Sequence, residues 1–128
     1  MRILALIAAF FMLACEAADA PIVTEVSLEE FTSKPAGTYL IFDVRTPAEY
    51  EAGHITRSIN IPHDVVAENL PRFQKYAGVP VMIYCKSGRR AHEAAKVFAA
   101  AGFTNLNHLT GGMDAWIEAG LPVATNGP

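Results

Sequence analysis

The chain has 128 residues, 52% hydrophobic and 18% charged, which excludes a disordered segment and fits one globular domain with its own core. A formal charge of −3 excludes a general polyanion-binding surface, and with it a nucleic-acid partner. Any dense cluster of positive charge must therefore serve a smaller anion.

The first twenty residues differ from the rest. Arg2 is followed by an unbroken apolar run from Ile3 to Ala14, shorter than the roughly 20 residues a membrane span needs and matching the core of an export signal. Residues 1–20 are expected to be a signal peptide or lipoprotein leader, with a periplasmic or otherwise exported domain over 22–125. "CEA" at Cys15–Ala17 offers a cleavage site, while "MLAC" resembles a bacterial lipobox with Cys15 as the lipidated residue. The expected link to a membrane is a lipid on Cys15, and the domain itself is expected to be a monomer. By either route Cys85 is left as the free thiol, since Cys15 is removed or capped.

The remaining elements alternate. "PIVTEV" predicts a short strand, and "SLEEF" a helix capped by Ser27, with Glu30 placed for a capping box. "YLIFDV", residues 39–44, is apolar on both faces, as in a strand covered on both sides. "TPAEYEAG" repeats the helix start: Thr46 caps, Pro47 takes the first position, Glu49 closes the box and Gly53 ends the turn. "SINIP" predicts a strand, residues 63–76 a helix broken at Pro71, and "PVMIYC" a fully apolar strand. A helix follows from about Arg90 to Ala101 with Gly102 as its stop. "TNLNHL" predicts the fifth strand and "GGMDAWIEAGLP" the last helix, in which Trp116 is read as core.

This alternation predicts an α/β fold: a mostly parallel five-stranded sheet with helices on both faces. Ligands of such sheets sit beyond the carboxyl ends of the strands, where Cys85 falls. Between that strand and the next helix lies Cys85-Lys86-Ser87-Gly88-Arg89-Arg90. If this loop curls, its N–H groups converge on the cysteine sulfur, backed by the positive end of the helix. Gly88 is expected to allow a turn that a side chain would hinder. Lys86, Arg89 and Arg90 add positive charge, and all of these favour thiolate over thiol. Each arginine taken singly also has a plain alternative, a surface pair with a carboxylate.

At this loop the sequence resembles a single-domain rhodanese, a thiosulfate sulfurtransferase, from about residue 22 to residue 123. "FDVRTPAEYEAGHI", "SINIP", "VMIYCKSGRRA" and "LTGGMDAWIEAGLPV" match the family's signatures in order. The chain departs from the family at Arg57 and Ser58, where Gly-Ala is usual, so the local turn is rearranged or Arg57 adds charge near the cleft. The resemblance implies the rhodanese-like fold and a two-step reaction. Cys85 takes a sulfane sulfur from a small anionic donor such as thiosulfate, becomes a persulfide, and passes the sulfur to cyanide or a thiol acceptor. Lys86, Ser87, Gly88, Arg89 and Arg90 would bind the donor, Arg89 foremost. The family's use of the neighbouring strand end implies that Asp43 and Arg45 support the loop, as a structural ion pair. Related phosphatases place five residues between cysteine and arginine; four lie between Cys85 and Arg90, which suits one sulfur atom better than a tetrahedral oxyanion. The alternative is a non-catalytic binding domain or persulfide carrier for a protein partner. His54 is expected to cap or pack a turn. His63, His92 and His108 show no metal-ligand spacing with the cysteine or one another, so neither metal nor organic cofactor is expected.

Overall fold

The structure is a computed structural model that describes residues 22–125, so the leader assigned to residues 1–20, Cys15 included, lies outside the described residues. Five strands form one sheet in the order β1-β5-β4-β2-β3, and every paired strand is parallel. They are β1 (Thr24–Val26), β2 (Leu40–Asp43), β3 (Ile59–Asn60), β4 (Val81–Tyr84) and β5 (Leu106–Leu109). The helices are α1 (Leu28–Ser33), α2 (Pro47–Ala52), α3 (Val66–Asn69), α4 (Arg89–Ala100) and α5 (Gly112–Glu118). The α/β reading holds, with the sheet wholly rather than mostly parallel. Among the described residues no helix is long and apolar enough to cross a membrane.

Local chemistry explains the element ends. Ser27 Oγ accepts from the Glu30 N–H at 3.1 Å to start α1, and α2 opens on a complete capping box between Thr46 and Glu49 with Pro47 in its first turn. Proline lacks the N–H that an α-helix interior requires. Accordingly α3 stops at Asn69, and the chain continues from Leu70 to Tyr76 as a 3-10 helix with Pro71 at its start.

Strand alternation splits the core between the two faces of the sheet. Val81, Ile83 and Cys85 pack with Ala91, Ala94, Ala95 and Phe98 of α4, together with Phe42 and Ile61. Met82 and Tyr84 point the other way and pack with Met113 and Trp116 of α5 and with Val26 and Leu109. All of β4 is inaccessible to solvent. As the middle strand it carries its last residues, and the loop after them, to a fixed place at the carboxyl end of the sheet.

Candidate active site

Cys85 follows the last residue of β4, is buried, and is a free thiol. It lines a pocket of about 440 Å³ together with His63, Lys86, Ser87, Arg89 and Arg90. Five of those six residues belong to the predicted loop.

The loop is shaped by α5. The N–H of Met113 donates to the carbonyl of Cys85 at 2.9 Å, and the N–H of Asp114 donates to the carbonyl of Lys86 at 3.0 Å. In a planar trans peptide the N–H points opposite to the C=O. Holding these two carbonyls toward α5 therefore turns the N–H groups of Lys86 and Ser87 the other way. The first turn of α4 adds N–H groups with no partner inside the helix, and the positive end of its dipole. Together they form a cradle of donors suited to an anion beside the sulfur.

The glycine that this arrangement requires is Gly112 in "TGGMDAW". Its φ is +54°, and an added Cβ would collide with the carbonyl oxygen of Cys85 and lie 2.8 Å from that of Lys86. Gly88 has φ 167° and ψ −30°, and a Cβ there would meet the His108 ring at 3.4 Å and the His92 ring at 3.7 Å, ordinary contact distances.

The three cations are not equivalent. Arg90 makes a two-pronged pair with Glu49, Nη1 to Oε1 at 2.7 Å and Nη2 to Oε2 at 3.0 Å. That bond holds the Glu49 carboxyl at a pKa of about 2, with the Thr46 cap helping against partial burial. Arg90 is raised in turn, chiefly by Glu49 and to a lesser degree by Cys85 and Asp43. Lys86 Nζ bridges both oxygens of Asp114 at 3.0 and 2.9 Å on an exposed face. Arg89 is the loosest, 3.5 Å from Glu93 with a side chain 74% exposed. Each of these three cations thus also has a carboxylate partner, and Arg89 is the least committed.

Asp43 and Arg45 form a buried pair at the end of β2, with Nη2 2.7 Å from Oδ2. The same Nη2 donates to the carbonyl of Gly53 at 2.6 Å, and the guanidinium lies 5.8 Å from the centre of the Tyr84 ring. The pair thus braces the segment after α2 and the residue that precedes Cys85. The Tyr84 hydroxyl accepts from the Ile55 N–H at 3.0 Å and lies 3.2 Å from Ser58 Oγ, which ties that segment to β4. His54 is buried and stacks on Tyr50 with ring centres 3.6 Å apart, a packing role as expected.

One pocket residue escaped the sequence, and one expectation is corrected. His63 reaches the cysteine pocket because its N–H donates to Val44 O beyond the end of β2, the strand beside β4. Its place just after a strand, like that of Cys85, was the available signal. Arg57, where the resemblance leads one to expect glycine, adopts the left-handed backbone that favours glycine, with φ 72°, and lines a separate cavity of about 360 Å³ with Phe31, Tyr39 and Trp116. It does not line the pocket of Cys85.

The profile of the rhodanese-like domain matches residues 27–119. The thiosulfate:glutathione sulfurtransferase of Saccharomyces cerevisiae is 33% identical over 104 residues, covering 73% of this chain and 75% of that protein. A sulfurtransferase of Allochromatium vinosum is 32% identical over 103 residues, covering 79% of this chain and 94% of that protein. The human single-domain sulfurtransferase TSTD1 superposes with a TM-score of 0.66 at 28% identity, covering 77% of this chain and 96% of that one. Signature order, parallel sheet and cysteine cradle agree with these likenesses: the chain belongs to the rhodanese-like sulfurtransferase family.

Proposed function

We propose that Cys85 is the nucleophile of a sulfurtransferase whose donor is thiosulfate or a similar small anion. The observation that carries this reading is the placement of Cys85 at the carboxyl end of β4, inside a pocket whose wall is its own cationic loop. The thiolate attacks the outer sulfur of thiosulfate. The sulfur–sulfur bond of the donor breaks, sulfite leaves with the electron pair, and a persulfide remains on Cys85. An acceptor thiolate or cyanide then attacks the terminal sulfur and regenerates the Cys85 thiolate.

Each step keeps negative charge at the same place, which is where the cradle supplies donors. The Lys86 and Ser87 N–H groups and the start of α4 are fixed before the reaction, so little reorganisation is needed as charge moves from sulfur to sulfur. Lys86, Arg89 and Arg90 raise the local concentration of a dianionic donor. His63, also in the pocket wall, has ring nitrogens that can hydrogen-bond the leaving sulfite or an incoming thiol.

Mass spectrometry of the protein with and without thiosulfate, beside Cys85→Ser, tests the proposal. One added sulfur on Cys85, removed by cyanide or a thiol, supports it. Absence of that sulfur with both thiosulfate and polysulfide, on folded protein with a reactive thiol, overturns it in favour of a rhodanese-like binding domain.

A further inference from the structure

Behind the cysteine loop, three residues from three elements converge on one point. Glu25 lies on β1, His92 near the start of α4 and His108 on β5, and one ligand atom from each falls within 4.8 Å of the other two. Glu25 Oε1 is 2.6 Å from His92 Nε2, and Glu25 Oε2 is 2.7 Å from His108 Nδ1. Thr110 Oγ1 donates to Oε2 at 2.8 Å. The arrangement follows from the topology: β1 pairs with β5 so that Glu25 sits directly beside His108, and α4 brings His92 over them with the imidazole centres 4.3 Å apart.

The donor set points to a ligand. The His108 side chain is 4% exposed and turns its Nδ1 to the cluster, while its other ring nitrogen, Nε2, is a buried polar atom without a hydrogen-bond partner beside Gly88. A strut between β1 and β5 would need one histidine on the carboxylate, and here two imidazoles address it from different sides. Glu25 and His92 are both half-exposed, so solvent reaches the point where the three meet.

We propose that Glu25, His92 and His108 form a binding site for a divalent late transition cation, with zinc as the reference ion. Two imidazole nitrogens and one carboxylate oxygen are a donor set that such ions favour, and at four-coordinate zinc they leave one position for water. Zinc bonds of about 2.0–2.2 Å put neighbouring donors roughly 3.3 Å apart. The 2.6 and 2.7 Å separations are those of hydrogen-bridged pairs, so binding displaces the bridging hydrogens and opens each pair by about 0.6 Å. The half-exposed side chains of Glu25 and His92 have room to move that far.

The site adjoins the sulfur chemistry without sharing residues with it. The two imidazoles lie against Gly88, in the cysteine loop. A bound cation would clamp β1, β5 and the start of α4 at the back of the cradle.

Titration of Zn²⁺ into chelator-stripped protein near neutral pH, followed by calorimetry and by thermal unfolding, tests this. One equivalent is expected to bind and raise the unfolding midpoint. Glu25→Gln and His92→Ala should each weaken binding at least tenfold, while a variant with Cys15→Ser and Cys85→Ser keeps full stoichiometry. His92 is exposed, so His92→Ala stays folded and informative even where Glu25→Gln does not. No binding, binding that survives His92→Ala unchanged, or binding lost with the thiols would each overturn the proposal.

Discussion

Arg90 and Glu49, 41 residues apart in sequence, lock together through two nearly parallel hydrogen bonds of 2.7 and 3.0 Å. The bond pins the first turn of α4 to the capping box of α2, and so fixes one wall of the cysteine pocket. Glu49 has a folded-state pKa of about 2 against an ordinary carboxyl value of 4.5, chiefly because of Arg90. A depressed carboxyl pKa contributes stability above the unfolded value and loses it as pH falls toward the folded one. Part of that contribution is screened by solvent, so Glu49→Gln should cost roughly 1–2 kcal/mol at neutral pH. Urea midpoints measured from pH 7 down to about 2.5 should show the two proteins converging below the ordinary carboxyl pKa. A gap that stays constant across that range would mean the ion pair contributes nothing to stability.

Gly112→Ala attacks the cradle from behind. A methyl group there meets the carbonyls of Cys85 and Lys86, both backbone atoms that cannot rotate aside, and the residue must also hold φ +54°. Left-handed backbone costs roughly 1–2 kcal/mol and overpacking a further 1–3 kcal/mol. A loss of about 2–5 kcal/mol in denaturant unfolding is expected, with a fall in sulfur-transfer rate larger than the fall in folded fraction. Wild-type turnover in a folded Gly112→Ala protein would show that α5 does not shape the loop.

The sheet was legible because β2 and β4 are short, apolar on both faces and set among strong helix caps at Ser27 and Thr46. Cys85 was legible for a related reason: strand, cysteine, cations and helix follow one another along the chain, so adjacency in sequence is adjacency in space. What joins the loop to the rest of the molecule was not. Glu49 meets Arg90, Glu25 meets His108, and Gly112 meets Cys85 only after the sheet has brought distant segments together. The convergence of His92 and His108 was hidden for the same reason. Spacing rules detect ligands on one element, and these two lie on α4 and β5 with Glu25 on β1.

Arg89→Ala should separate donor binding from chemistry. Arg89 lines the pocket but is mostly exposed and only loosely held by Glu93, so its removal leaves the cradle intact. An exposed charge acting on a dianion contributes about 1 kcal/mol at low salt, which corresponds to roughly a fivefold change in affinity. The KM for thiosulfate should rise by about that factor, kcat should change little, and the dependence of KM on ionic strength should flatten. A fall in kcat with unchanged KM would instead place Arg89 in the chemical step.

Arg57 gives the opposite prediction, a gain in stability. Among the described residues it is the non-glycine residue with positive φ, at 72°, in the turn closed by the Ser58 N–H donating to Ile55 O at 3.0 Å. Left-handed backbone costs an arginine roughly 1–2 kcal/mol. Glycine removes that strain but gives back roughly 0.5–1 kcal/mol through the greater freedom of its unfolded chain. Arg57→Gly should therefore stabilise the domain by about 0.5–1 kcal/mol, read as a thermal midpoint a few degrees higher. Sulfur transfer should not change, because Arg57 faces the cavity beside Trp116 and not the pocket of Cys85. Arg57→Asn should fall between the wild type and the glycine variant, since asparagine tolerates the left-handed region better than other side chains. A loss of stability on Arg57→Gly would mean that the place of the arginine side chain in the cavity it lines with Phe31 and Tyr39 outweighs the strain, which would explain why a charged residue occupies a turn that glycine fits.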